Sequence, residues 1–254
     1  MTVSSLERGS AVELASGSMG DRTRRTRHAR GLFAGISSNY DTPAKLFGLF
    51  QYRRWHRELV SRLAPHTPSL VLDMCTGTGA VAEELLRQTD SRIVAADLTR
   101  SMLKAASERP GLRSPRVSFI ETDAQSPGLA DGSFDAVVFT YLLRYVEDVP
   151  TVLSQLGRLL RPGGVMASLE FAIPNGAWHP LWLLHTRVVL PLGLRAVSRG
   201  WGEVGGFLGP SISEFYRRWP PDRLEEAWRE AGFGDVSTSR LSLGGAAITT
   251  GTRL

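Results

Sequence analysis

VLDMCTGTG, residues 71–79, decides how this chain folds, because an apolar run, a carboxylate and a Gly-x-Gly turn follow one another without interruption. Leu70 to Leu72 reads as a buried parallel strand, Gly77-Thr78-Gly79 as a tight turn, and the next helix begins near Ala80. Gly77 and Gly79 let the backbone come close to a ligand. Asp73 bears on which ligand. In a dinucleotide site the helix N-terminus faces a pyrophosphate, which a carboxylate just ahead of the glycines repels. S-adenosylmethionine has no phosphate, and its ammonium and sulfonium favour an anion at the strand end. The segment therefore points to S-adenosylmethionine ahead of a dinucleotide. GTGAVA at 77–82 also satisfies the loose Gly-x-Gly-x-x-Gly/Ala pattern, and a purely structural glycine turn is the remaining alternative.

Working outward, RIVAAD at 92–97 ends in Asp97, near the distance from the glycines at which an acidic residue meets a ribose. That placement serves the adenosine of either cofactor. A helix N-cap is the competing role for Asp97. A third strand, RVSFIET, leads into Asp123-Ala124, where the adenine edge is expected. Strands are predicted at about 69–74, 92–97, 116–121, 134–140 and 164–171, with helices near 80–88, 100–108 and 149–160, the last stopped by Arg-Pro-Gly-Gly at 161–164. This alternation predicts an α/β fold with a doubly wound, mostly parallel sheet. Beyond residue 172 it gives way to a Trp-, Leu-, Pro- and Gly-rich insertion running to about 215. A helix at about 221–231 and two strands near 235–241 and 245–252 follow, the strands reading as an antiparallel edge at the C-terminus.

Composition sets outer limits. With 254 residues and 42% apolar content, the chain can bury one substantial α/β core. A single cysteine, Cys75, excludes a disulfide framework or a cysteine zinc cluster, and the five histidines show no metal-ligand spacing, so no metal is expected. The first 30 residues lack the apolar core of a signal peptide, which predicts a cytoplasmic protein. Residues 21–30, DRTRRTRHAR, hold five Arg and one Asp, +4 of the formal +5. The remainder is near neutral, which argues against a nucleic-acid groove. The basic tail is either a solvated disordered segment or a tether to anionic lipid. Residues 177–209 are broken by His185, Arg187 and Pro191 and cannot supply a spanning helix. Trp178, Trp182 and Trp201 beside Arg187, Arg195 and Arg199 suit either a cap on the sheet or peripheral contact with the inner face of an anionic membrane. A homodimer is a compatible assembly.

The order VLDMCTGTG, VAADLTRSML, ETDAQSP, DGSFDAVVFTYLLRYVED, LGRLLRPGGVMASLEF and EAGFGDV resembles class I methyltransferases. More closely, it is similar to the UbiE-type C-methyltransferases of ubiquinone and menaquinone synthesis. LFAGISSNYD at 32–41, YRRWHREL at 52–59, LLRYVED, LEF at 169–171 and PSISEF at 210–215 match segments outside the cofactor core. The resemblance implies a Rossmann-like, seven-stranded sheet, S-adenosyl-L-methionine as cofactor, and a small-molecule or lipid-quinol acceptor. It puts Thr78, Asp97, Asp123, Ala124 and Thr140 at the cofactor and Arg144, Tyr40, Asp41 and Glu170 near the reacting carbon. The chain departs from the pattern at Tyr145, where Asn is usual, at Gly205 and Phe207, where Tyr is usual, and at Thr249, where a late His is usual.

The implied chemistry is methyl transfer to a ring carbon of a hydroquinone, which becomes nucleophilic as its phenol oxygen gains negative charge. Arg144 is the first choice to stabilise that charge; Tyr40, Asp41 and Glu170 are polar groups able to relay a proton. A salt bridge from Arg144 to Glu147 or Asp148 is the competing structural role. Two further readings stand beside the polyprenyl hydroquinone: methylation of a smaller phenolic or polyketide-like metabolite at carbon, oxygen or nitrogen, which the departures favour, and a silent S-adenosylmethionine-binding module.

Overall fold

A computed structural model of the chain describes Gly31 and residues 51–254. The basic tail, LFAGISSNYD, Tyr40 and Asp41 lie outside the described residues. After helix α1 (Tyr52–Ser61), the chain alternates through β1 (Leu70–Met74), α2 (Ala80–Gln88), β2 (Arg92–Asp97), α3 (Arg100–Glu108), β3 (Val117–Glu121), β4 (Phe134–Thr140), α4 (Val149–Leu159) and β5 (Leu160–Phe171). Three helices follow, α5 (Trp178–Leu184), α6 (Leu190–Val197) and α7 (Arg199–Arg218), then α8 (Pro221–Glu230), β6 (Phe233–Leu241) and β7 (Ala246–Arg253). The seven strands form one sheet in the order β3-β2-β1-β4-β5-β7-β6. The first five are parallel, and β7 runs antiparallel to both β5 and β6. The doubly wound sheet with an antiparallel edge is therefore as expected. Strand order reverses between β1 and β4, which opens a crevice at their C-terminal ends.

Period-two alternation sends successive residues of β1 to opposite faces, and both faces are covered. Val71 joins Leu59, Val81 and Leu85 beneath α1 and α2. Leu72 and Met74 join Leu153 and Trp228 beneath α4 and α8. The strand start is fixed by Asp135, whose Oδ2 accepts the Ser69 and Leu70 N–H groups at 2.7 and 3.0 Å.

The join of α4 to β5 departs from expectation. Arg-Pro-Gly-Gly ends the helix, but it loops out of a strand that has already begun, because Leu160 pairs with Phe134 before Val165 pairs with Ala136. Arg161 is held there by Asp135 at 2.7 Å, and Gly163 takes the left-handed conformation (φ +78°) that the bulge requires.

Helices α5 and α6 are joined by a π-turn, His185–Val189; α6 and the π-turn fold against α7. Their shared core is a small separate cluster of Leu190, Leu194, Trp201 and Val204, whereas Phe215 near the end of α7 belongs to the main core. At about 1.5 Å per residue, this 20-residue helix spans about 30 Å and ties the cap to the sheet. Gly205 permits the close contact: a Cβ there would stand 2.8 Å from the Leu190 carbonyl oxygen. The tyrosine usual at that position cannot fit between α6 and α7. Among the described residues no helix is long and apolar enough to cross a membrane.

Candidate active site

Between the C-terminal strand ends and the cap lies a cavity of about 710 Å³. Of the residues singled out from sequence, Gly77, Thr78, Asp97, Asp123, Ala124, Thr140 and Arg144 line it. Asp73, Gly79 and Glu170 stand behind its wall.

Gly77 is left-handed (φ +55°), and nothing lies within 4 Å of the place a Cβ would take, so its missing side chain leaves open space on the wall. Asp97 braces this turn. Its Oδ2 accepts the Gly77 N–H at 2.9 Å and its Oδ1 accepts the Thr99 N–H at 2.8 Å. Thr99 is the N-cap of α3, so Asp97 supports the cap residue without being the cap. Asp97 lines the cavity, where a hydroxyl donor can share its carboxylate oxygens with the loop's own donors. Asp123 is shaped alike: Oδ1 accepts the Gln125 N–H at 2.9 Å, with Ala124 buried beside it.

Gly79 is needed for packing. It is left-handed (φ +83°), and a Cβ would collide with Leu112 Cδ1 and stand 3.2 Å from Ala106 Cβ. Asp73 lies under the turn, its Oδ2 accepting the Thr76 hydroxyl at 2.6 Å. The sequence reading aimed this carboxylate at the ligand; the structure uses it to shape the loop, because a strand-end side chain is covered when the loop folds over it. Burial pushes Asp73 up to about 7 against the Thr76 bond, and Asp97 raises it further. Burial also raises Asp97, against its bonds to Thr99 and Gly77. Cys75, left-handed at φ +62° and on the wall, reports the local field. Its thiol is pushed well up by burial and then by Asp97, Asp73, Asp123 and Glu170, the opposite of the field an anionic phosphate needs.

Arg144 sits on the Leu143–Tyr145 turn after β4 and is 8% exposed. Its guanidinium carbon lies 4.5 Å from the Tyr145 ring centroid, 5.0 Å from Phe171 and 5.6 Å from Tyr141. Nη2 donates to Tyr145 Oη at 2.9 Å, and Nη1 stands 3.6 Å from Glu170 Oε2. Nε and Nη1 are buried with no hydrogen-bond partner. The acid that pairs with Arg144 is thus Glu170, not Glu147 or Asp148; Asp148 caps α4 through the Thr151 N–H at 3.1 Å. Glu170 fixes the turn itself, its Oε1 accepting the Leu143 N–H at 2.9 Å. Burial pushes Glu170 up to about 7, with Arg144 and the Leu143 N–H opposing the rise. From behind the wall Glu170 positions Arg144.

The departures from the family pattern fall into two groups. Tyr145 lines the cavity and stacks on Phe207, ring centroids 6.0 Å apart and 17° from parallel, so these two form one unit. Gly205 and Thr249 do not reach the cavity. Thr249 is buried on β7, 3.1 Å from Thr238 Oγ1, and borders a separate small recess with Glu170, Tyr216 and Arg240.

Sequence reasoning missed two features. Arg109 lines the cavity and clamps the glycine turn, donating from Nε to the Thr78 carbonyl at 2.8 Å and pairing with Glu83 at 3.0 Å. Nothing in ERPGL marks it. Four of the six left-handed non-glycine residues among the described residues, Cys75, Tyr141, Ser242 and Leu243, line the cavity. Strained backbone gathers at functional sites, and composition carries no sign of it.

The sheet order and the crevice define a class I methyltransferase fold. Solved structures share it: the Haemonchus contortus phosphoethanolamine N-methyltransferase 2 in complex with S-adenosyl-L-methionine (TM-score 0.59, 14% identity, 87% of this chain and 60% of that one), and an S-adenosylmethionine-dependent methyltransferase from Aquifex aeolicus (TM-score 0.58, 16% identity, 87% and 98%). The model of the ubiE/COQ5 methyltransferase family matches residues 21–253, and the chain belongs to that family of enzymes. It is similar to the demethylmenaquinone methyltransferase of Roseiflexus castenholzii, 34% identical over 234 residues, 90% of this chain and 94% of that one. It is also similar to the ubiquinone/menaquinone biosynthesis C-methyltransferase UbiE of Paracoccus denitrificans, at 32% over 88% and 90%.

Proposed function

We propose that this enzyme uses S-adenosylmethionine to methylate a ring carbon of a polyprenyl hydroquinone of the demethylmenaquinol type. The observation that carries the reading is Arg144, a buried cation on the wall of a cavity that joins a carboxylate-rich loop region to an apolar cap. The residues present fit the cofactor. Gly77 leaves the backbone open, Asp97 and Asp123 retain acceptor capacity for hydroxyl and amine donors, and the negative field around Cys75 favours a sulfonium. When bound, S-adenosylmethionine supplies an electrophilic methyl group.

The chain's own residues supply position and charge. An acceptor oxygen that reaches the guanidinium from the cavity makes a charge-assisted contact, stronger than one to a neutral donor. Negative charge building on a phenol oxygen strengthens that contact in the transition state. Tyr141, Tyr145 and Phe171 surround the buried guanidinium with rings, so the contact is made at low local dielectric. The resonance-stabilised guanidinium keeps its protons and acts as an electrostatic group, not as the base. The apolar side chains of Trp182, Leu190, Leu194 and Ile212 offer a surface for a prenyl tail, at about 0.8 kcal/mol per buried methylene.

Arg144→Leu is expected to lower turnover by about 100-fold or more while leaving cofactor affinity within about twofold. Loss of stability with full low-temperature turnover would reduce Arg144 to a salt-bridge role. The Tyr145–Phe207 stack favours the second reading, a smaller phenolic acceptor, because a ring stands where the family pattern has an amide. Methyl transfer to small phenols with none to demethylmenaquinol would select it.

A further inference from the structure

The outer face of the cap has no role in the chemistry above. Trp178, Leu181, Leu184, Val188 and Leu192 are between 43 and 65% exposed, and their spacing of three or four residues puts them along one side of the helical run from α5 through the π-turn into α6. Seven of the nine exposed large apolar side chains among the described residues fall between 178 and 197, a concentration that scattered surface residues do not show. Trp178 and Leu181 also line the cavity, as does the 63% exposed Leu243 on the turn between β6 and β7. The apolar exterior and the apolar interior are one continuous surface at the cavity mouth.

Charge identifies the occupant. Residues 172–202 contain three arginines and no aspartate or glutamate. Arg199 stands 3.7 Å from Glu203, while Arg187 and Arg195 are exposed and have no acidic partner among the described residues. A second copy docked through this same face would offer these arginines a surface with no aspartate or glutamate over residues 172–202. An anionic lipid surface meets both the apolar side chains and the cations.

We propose that this face docks on a bilayer containing anionic phospholipid, with its apolar side chains in the acyl boundary and Arg187 and Arg195 at headgroup depth. The proposal rests on the lipid-quinol reading in one respect, that it gives such an acceptor a path from bilayer to Arg144 without crossing water.

The test is flotation of the full-length protein with vesicles of phosphatidylglycerol and phosphatidylcholine, measured without any acceptor. The parent is expected to float with the mixed vesicles and far less with phosphatidylcholine alone. Leu184→Ser/Val188→Ser/Leu192→Ser, none of which lines the cavity, should reduce the bound fraction by roughly tenfold at unchanged melting temperature and cofactor affinity. Arg187→Gln/Arg195→Gln should remove roughly an order of magnitude of the preference for anionic vesicles and flatten its salt dependence. A parent that does not float overturns the proposal. So does equal flotation of parent and both variants, in which case the basic tail carries all binding. A dimer in light scattering that the triple serine variant splits assigns the face to self-association instead. Because no acceptor is present, failure of docking leaves the acceptor reading standing, and failure to methylate a quinol leaves the vesicle result readable.

Discussion

Around Gly77 the cavity wall is backbone held by buried carboxylates, whereas from Trp178 to Ile212 it is apolar side chain carried on helices with a core of their own. In the first region Asp97, Asp73 and Asp123 each tie down loop atoms through short hydrogen bonds, so the shape of the wall follows from how the backbone is held at the strand ends. In the second, shape follows from how α6 and α7 meet at Gly205 and from the four-residue cluster around Trp201. The difference teaches that one cavity can combine a rigid, generic half with an adjustable, specific half. Of the departures from the family pattern, Tyr145, Gly205 and Phe207 fall on or against the second half.

The comparison is tested most severely by removing the cap's anchor. Trp201→Ala should cost about 3–5 kcal/mol of local stability, read as faster amide hydrogen exchange across residues 190–209, with exchange in β1 and β4 and cofactor affinity close to the parent's. Parallel loss of protection in the sheet would show that the two halves form a single cooperative unit.

Glu170 joins the halves, since it holds both Arg144 and the Leu143–Tyr145 turn. Burial lifts its carboxyl from an ordinary 4.5 to about 7, so the folded state binds this proton more tightly than the unfolded state. The resulting contribution is complete below about pH 4.5 and is lost as pH rises through about 7. Relative to Glu170→Gln, the parent should therefore lose stability across that window, by at most about 3 kcal/mol, in denaturant titrations at several pH values. Asp73 shifts in the same direction and is present in both proteins, so it cancels. A parent that gains stability relative to the variant as pH rises would show Glu170 to be held low by Arg144.

The smallest of these effects concerns the rigid half alone. Asp97→Ala removes the acceptor of the Gly77 and Thr99 N–H groups and should weaken S-adenosylmethionine binding by about 1.5–3 kcal/mol in calorimetry, without altering vesicle flotation. Unchanged affinity would move the ribose contact elsewhere in the cavity.

Most of the rigid half was legible because its strand, turn and carboxylates follow one another along the chain; Arg109, which clamps the turn from 31 residues away, was not. A buried strand, a carboxylate and two glycines lie within VLDMCTGTG, and the second carboxylate ends the next strand, so Gly77, Asp97, Asp123 and Ala124 were proposed from position along the chain and Thr78 from the resemblance; all five line the cavity. The strands β2 and β4 and the helices α2 and α3 match the predicted bounds because period and punctuation agree there. Arg144 was found through a resemblance, but its partner was not, since Glu170 is 26 residues away on a neighbouring strand and Glu147 and Asp148 are next to it in sequence. Asp73 and Gly79 were assigned to the ligand because strand-end position alone does not say which side chains the folded loop will cover. By itself, then, the sequence determined the sheet, the glycine turn and the family. Only the tertiary structure decided that Arg144 is boxed by rings from three separate positions in the chain, that Gly205 is a helix contact, and that the cap turns an apolar face outward. Strand period, turns and caps act over a few residues, whereas burial, charge pairing and the hydrogen bonds made by Arg109 and Glu170 depend on which distant segments the packed chain brings together.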